Sequence, residues 1–186
     1  MEEEKKLTRV FICLEFPDPV IKEIARLQEV LSNKIFTGKM TELENLHLTF
    51  KFLGEIDDET IEKVKRRLDN IKFDVFEAKL GELGTFSFNG KPKIVWTKVN
   101  GDGIWALQKK IDEELKDLFE LKERFMSHMT LARIKYVKDG KNFSDYVKNI
   151  VGKEIKFNVT GFKLKSSELS RTGPIYREIK EFKSKD

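Results

Sequence analysis

A chain of 186 residues can bury its own core without disulfide staples, and its single cysteine forbids an internal disulfide in any case. With 36 Lys and Arg against 32 Asp and Glu, the formal charge of +4 is too small to mark a nucleic-acid binder by itself. Two histidines and one cysteine, without a short-spaced His, Cys or carboxylate cluster, form no recognisable zinc or iron site, and no apolar run approaches the roughly 20 residues of a membrane span. The charged segment from Met1 to Lys6 leads into no signal-type apolar core, so a soluble cytoplasmic protein is expected, with Cys13 a buried, unreactive thiol. The 37% charged content resembles that of heat-adapted proteins and bears on stability alone.

The first element, Arg9 to Phe16, reads as a central strand with Val10, Ile12, Leu14 and Phe16 on one face. Asp18 and Pro19 then suit the start of a helix, whose apolar stripe is Val20, Ile24, Leu27 and Leu31 and which ends before a turn at Thr37-Gly38-Lys39. From Leu46 to Leu53 the alternation predicts a strand with Leu46, Leu48, Phe50 and Phe52 in the core and His47, Thr49 and Lys51 presented on the other face. Asp57 or Asp58 caps a second helix carrying Ile61, Val64, Leu68 and Ile71. Phe73 to Leu83 reads as extended, followed by a turn region from Gly84 through Asn89 and Gly90 to Pro92.

The order then recurs. A strand from Lys93 to Val99 leads through Gly101-Asp102-Gly103 into a helix with Ile104, Leu107, Ile111, Leu115 and Leu118 inward; a strand from Phe125 to Ile134 precedes a short helix from Asn142 to Ile150; and Ile155 to Leu164 is extended. His47 and His128, Asp18 and Asp102, and Phe73 and Ile155 are separated by nearly constant intervals, the mark of an internal duplication. A last strand, Ile175 to Phe182, has no twin in the first half and is expected to pair with a central strand. The predicted fold class is α+β: two pseudo-symmetric lobes from an internal duplication, each an antiparallel-rich sheet covered by helices, with an active-site cleft between them. Residues 1–186 are read as one domain of intertwined lobes, with repeat halves at approximately 9–83 and 93–165 and a final strand at 175–182.

Both histidines of the chain sit in one repeated pattern, Leu46-His47-Leu48-Thr49 and Ser127-His128-Met129-Thr130. With only ten threonines in 186 residues, chance is a poor reason for Thr to stand two positions after each. Positions i and i+2 of a strand share a face about 6.5 to 7 Å apart, so one imidazole and one hydroxyl reach a small ligand together. A pseudo-twofold across the cleft would set His47 opposite His128 and Thr49 opposite Thr130. Two hydroxyls can donate to anionic oxygens while two imidazoles place a base at an attacking oxygen and an acid at a leaving one, an arrangement suited to in-line displacement at phosphorus. Positive charge would come from Lys51 or Arg133, of which the planar fork of Arg133 is the better grip on phosphate. Strict alternation puts Arg133 on the face opposite His128, so it reaches the site only if the strand bulges or ends there. Lys51 is divided evenly between phosphate contact and a solvated face. Phe86, Phe88 and Trp96 are read as core, with base stacking as the alternative, and Lys138, Lys141 and Lys148 as a solvated helix edge or a basic rim for RNA.

Two His-x-Thr-x motifs in a duplicated chain of this size resemble the 2H phosphoesterase superfamily. Arg9-Val-Phe-Ile, Glu44-Asn-Leu-His-Leu-Thr-Phe-Lys-Phe-Leu-Gly54, His128-Met-Thr-Leu-Ala-Arg133 and Gly173-Pro-Ile-Tyr176 are similar to its RNA 2′,3′-cyclic phosphodiesterase branch, also called 2′-5′ RNA ligases. Ser127 departs from the proline common there, which puts the local strand geometry in question. The resemblance implies metal-independent hydrolysis of an RNA 2′,3′-cyclic phosphate end to a 2′-phosphomonoester, in an RNA-processing role such as tRNA splicing. It implies His47 as proton donor and His128 as proton acceptor, roles the residues alone leave unassigned, with Thr49, Thr130 and Arg133 on the substrate. It also implies reversible 2′-5′ ligation, no cofactor or metal, no membrane, an RNA partner and a monomer. The competing readings are a cyclic phosphodiesterase of small nucleotides and a non-catalytic module binding RNA ends.

Overall fold

The computed structural model describes residues 6–32, 36–120, 124–171 and 173–185; the charged start of the chain thus lies largely outside the described residues. Its strands are β1 (Thr8–Glu15), β2 (Thr37–Met40), β3 (His47–Ile56), β4 (Phe76–Phe88), β5 (Lys91–Asn100), β6 (His128–Tyr136), β7 (Lys156–Val159), β8 (Gly161–Leu169) and β9 (Pro174–Lys183), and its α-helices are α1 (Asp18–Ser32), α2 (Asp58–Leu68), α3 (Asp102–Leu115) and α4 (Gly140–Lys148). Asp57 caps α2 by accepting from the Thr60 amide at 2.9 Å, and Asp139 caps α4 through the Asn142 amide at 3.0 Å, each relieving an orphan donor of the first turn. No helix among the described residues is long and apolar enough to cross a membrane.

The strands run in the order β7-β4-β5-β6-β3-β1-β8-β9, every pairing antiparallel. The sheet pinches at its centre, where Leu48 with Met129 is the single registered pair between β3 and β6, and both side chains are fully buried. On either side of this joint the order is mirrored: β3-β1-β8-β9 forms one lobe and β6-β5-β4-β7 the other. The halves exchange strands, because β4 of the first half joins the second lobe and β8 of the second half joins the first. They exchange helices as well. Gln28 of α1 donates to the Leu131 carbonyl of β6 at 2.9 Å, and Asp112 of α3 binds Lys51 of β3 at 2.7 Å.

Four expectations are corrected. Thr37 to Lys39 belongs to strand β2 instead of a turn: β3 diverges from β6 beyond the joint, and β2 satisfies the edge of β6 from Ala132 to Tyr136 that this leaves. The turn predicted over Gly84–Pro92 shrinks to Asn89 (φ 49°) and Gly90 (φ 74°), a two-residue hairpin with both central residues left-handed. Gly84 instead lies within β4 because the Trp96 ring covers it, and a Cβ there would collide with that ring. The extended run Ile155 to Leu164 is two strands that part at Thr160, β7 pairing with β4 in one lobe and β8 with β1 in the other. Finally, β9 pairs with β8 at the end of the sheet instead of with a central strand.

Candidate active site

His47 and His128 are the first residues of β3 and β6, flanking the joint. Their settings match closely: His47 Nδ1 lies 2.7 Å from the carbonyl oxygen of Asn45, and His128 Nδ1 lies 2.8 Å from that of Met126, in each case the residue two positions back. A carbonyl only accepts, so each Nδ1 carries the hydrogen and each Nε2 is left to meet a ligand. An antiparallel register centred on Leu48 and Met129 sets His47 beside Thr130 and Thr49 beside His128. The expected face-to-face pairing of like residues is therefore replaced by a diagonal one, because the pseudo-twofold passes through the bridging pair itself. Each imidazole works with the hydroxyl of the other motif. Both threonines are half-buried, and among the described residues neither side chain has a hydrogen-bond partner.

Beyond the motifs, matched β-bulges decide what faces the cleft. In β3, Ile12 pairs with Lys51 and Cys13 with Thr49, so Phe50 is an extra residue and both Phe50 and Lys51 turn to the helix side. Phe50 stacks on Phe125, and Lys51 binds Asp112 of α3 at 2.7 Å, only 11% exposed, so the structure decides against a phosphate contact for Lys51. The alternation resumes one step out of phase, and Phe52, expected in the core, stands 71% exposed on the histidine face. In β6, Val95 pairs with Ala132 and Trp96 with Thr130, so Leu131 is the extra residue. Its carbonyl is satisfied outside the ladder by Gln28 Nε2 and the Thr41 amide, each at 2.9 Å. This bulge turns Arg133 onto the face of His128 and Thr130, the condition its place in the site required. Phe52 and Arg133 each follow their histidine by five positions, and the duplication turned both toward the cleft.

The two sides of the cleft differ. Beside His47, the ring of Phe11 lies at 5.0 Å and that of Tyr176 at 5.3 Å, and a cavity of about 250 Å³ opens between Arg9, Phe11, Phe52, Ser167 and Tyr176. Beside His128 stands Phe86, edge-on at 5.0 Å, itself 5.4 Å from Trp96. Phe86 and Trp96 are half-buried on the cleft face and Phe88 is 68% exposed, so the reading of all three as core is corrected. Burial pushes the His47 pKa down; the hydrogen bond to the Asn45 carbonyl opposes this, the positive charges of Lys165 and Arg133 add to it, and Glu15 counters them. The Tyr176 pKa is raised, chiefly by burial, and the Arg133 charge works against that rise. Arg133 has no ion pair among the described residues, whereas Lys165 is bound to Glu15 at 2.5 Å. Ser127 is tied down in the place of the expected proline, donating its hydroxyl to the Val99 carbonyl at 2.5 Å and accepting from the Val99 amide at 3.2 Å. Lys141 and Lys148 lie in α4 and Lys138 just before it, all three exposed.

Because Lys51 serves the contact between β3 and α3, Lys51→Met should leave catalysis within about twofold of wild type. It should lower unfolding free energy by about 1 to 3 kcal/mol, the cost of a part-buried carboxylate left without its cation. Urea denaturation together with a rate assay separates the two effects.

Phe52 and Tyr176 are the site residues that reading by alternation missed. The signal for Phe52 was present in its spacing, since shifting by the interval between the histidines carries it onto Arg133. Tyr176 is brought in by a strand that has no twin in the first half.

Comparison with known proteins identifies the family of the chain. The sequence profile described as LigT like Phosphoesterase matches residues 14–96 and again residues 99–176. The chain is 33% identical over 176 residues to the RNA 2′,3′-cyclic phosphodiesterase of Methanocaldococcus jannaschii, covering 94% of this chain and 99% of that one. It is 30% identical over 177 residues to the protein of that name from Archaeoglobus fulgidus, covering 94% and 99%. Among solved structures, a Thermus thermophilus protein superposes with a TM-score of 0.83 at 24% identity over 94% of this chain and 97% of its own. Escherichia coli LigT complexed with 3′-AMP does so at 0.77 and 20%, over 97% and 99%. With the profile matched over most of its length and relatives of this identity over nearly all of it, the chain belongs to the LigT-like phosphoesterase family.

Proposed function

We propose that the protein hydrolyses the 2′,3′-cyclic phosphate at the end of an RNA strand to a 2′-phosphomonoester, without a metal or other cofactor. The observation that carries this reading is the matched fixing of His47 and His128, each held by a backbone carbonyl through Nδ1 with Nε2 left for a ligand. The name shared by the archaeal relatives supports the substrate class.

The asymmetry of the cleft supports the division of labour. In a 2′,3′-cyclic phosphate both ester oxygens belong to the ribose that carries the terminal base. The cavity beside His47 offers aromatic faces to a base, and single-stranded bases are held by such stacking. With the base there, the ribose and its leaving 3′-oxygen lie on the His47 side and water enters from the His128 side. His128 Nε2 takes the proton of water as its oxygen bonds to phosphorus, and His47 Nε2 gives its proton to the 3′-oxygen as that bond breaks. Thr49 and Thr130 donate to the non-bridging oxygens, and Arg133 offsets the charge that builds on them. The same acid and base could join the cyclic end to a 5′-hydroxyl in place of water, which is the 2′-5′ ligation reading. The cavity is large enough for one base, so a cyclic mononucleotide is the alternative substrate. Action as a monomer in the cytoplasm completes the reading.

An RNA oligonucleotide with a 2′,3′-cyclic end should be converted to the 2′-phosphate in the presence of EDTA; conversion that requires added metal, or a 3′-phosphate product, contradicts the proposal. A pH profile checks the acid. Free His47 has its pKa held down by burial, and a bound phosphate anion stabilises the imidazolium and raises it. The alkaline limb of kcat should therefore lie at higher pH than that of kcat/KM, which reports the free enzyme. Coincident limbs would remove His47 as the donor.

A further inference from the structure

The duplication that repeats the histidine motif also repeats the wall beside it. Cross-strand partners share a face, so the cleft face of the second lobe can be followed in successive rows away from His128. Lys98 stands beside His128, then Trp96 beside Thr130, then Phe86 and Ile94 beside Arg133. Farther out on β4 and β5, Phe88 pairs with Lys91, and on β6 Lys135 and Tyr136 follow Arg133, where a further bulge against Thr37 sets both on the cleft side. In the first lobe the corresponding rows, with Phe52 and Phe11 and then Arg9, Ser167 and Tyr176, form the cavity beside His47.

Three features point to a ligand. Phe88 is 68% exposed and Tyr136 is 63% exposed, two large rings on one open face. Lys91 and Lys135 have no ion pair among the described residues, in a chain where cations elsewhere are commonly bound to carboxylates. These cations continue the unpaired charge of Arg133 outward from the phosphate position. Cations interleaved with exposed aromatic rings form a platform for single-stranded nucleic acid, the cations following the backbone and the rings taking bases.

We propose that this face, formed by Phe86, Phe88, Lys91, Ile94, Lys135 and Tyr136, is a second nucleotide subsite, binding single-stranded RNA on the opposite side of the reacting phosphate from the terminal base. It rests on the reading of the cleft given above. The occupant is a separate RNA strand ending in a 5′-hydroxyl: the upstream part of the cyclic-ended strand leaves its terminal ribose through C5′, on the side of the base, whereas this face lies where the attacking oxygen enters.

The test measures binding apart from catalysis. A hexa-adenylate with a free 5′-hydroxyl and a fluorescent label at its other end, titrated after the first cavity is filled with 2′-AMP, should bind the wild type and bind F88A/K135A on the order of tenfold more weakly. The slope of log K against log salt should fall in magnitude by about 0.7 for each phosphate that the variant no longer holds. Hydrolysis of adenosine 2′,3′-cyclic phosphate should be unchanged in the variant, because neither residue touches the reacting atoms. Equal affinity of wild type and variant for this 5′-hydroxyl strand, or no binding by the wild type, overturns the subsite. Failure of the wild type to hydrolyse the cyclic mononucleotide and cyclic-ended RNA, with the binding difference intact, overturns the proposed activity and leaves the subsite standing.

Discussion

Replacing either His47 or His128 with alanine should lower kcat/KM on RNA 2′,3′-cyclic ends by about 10² to 10⁴, and replacing both should do little more than replacing one. The reason is the coupling of roles: protonating the leaving oxygen is of little use while water is not deprotonated, and the reverse holds equally. The fold should survive. Both imidazoles are half-buried at the starts of their strands, and the carbonyls of Asn45 and Met126 that they bind can turn to water. The joint between the lobes rests on the buried Leu48 and Met129, which the substitutions leave in place. Single-turnover rates with a parallel thermal melt measure both statements. A retained rate in either variant, or a lowered melting temperature that accounts for the loss, would contradict the assignment.

Arg133→Ala should cost about 10² in kcat, with Arg133→Lys recovering only part of it, because an ammonium restores charge without the planar fork. The expectation rests on the bulge at Leu131. Without it, Arg133 would lie on the helix side as strict alternation requires; with it, the guanidinium stands on the face of His128 and Thr130 and its charge is felt at both His47 and Tyr176. Steady-state kinetics of the two variants beside Lys51→Met make the comparison, since Lys51 carries the same charge but is turned away to Asp112. Equal losses at Arg133 and Lys51 would mean that charge in general, and not a placed guanidinium, matters.

The limits of reading this chain by pattern follow from the same feature. A period of two located β3 and β6, the faces of His47, Thr49, His128 and Thr130, and the buried positions of Leu48 and Phe50. It failed at Lys51 and Phe52, because one extra residue in a strand reverses the phase of all that follow, and nothing in Phe50 or Leu131 as residue types announces a bulge. The bulge in β6 is held by Gln28, more than a hundred positions earlier, and by the Thr41 amide, contacts that local propensity does not contain. Strand order was hidden for a related reason. Thr37-Gly38-Lys39 has the composition of a turn and becomes a strand only because β6 has an open edge there, and the division of Ile155–Leu164 at Thr160 reflects two partners in different lobes. The repeat itself was legible because duplication preserves spacing. Followed two residues further along each strand, the same spacing pairs Phe52 with Arg133 and so contains the asymmetry of the cleft.

That asymmetry underlies the central claim, that His47 protonates the leaving 3′-oxygen while His128 activates water. A nucleoside 2′,3′-cyclic phosphorothiolate, with sulfur in place of the 3′-oxygen, tests it most directly, since a thiolate departs without a proton. His47→Ala should hydrolyse this substrate at a rate approaching that of the wild type, and His128→Ala should remain impaired. Rescue of His128→Ala in place of His47→Ala would reverse the two roles, and rescue of neither would remove leaving-group protonation from the mechanism.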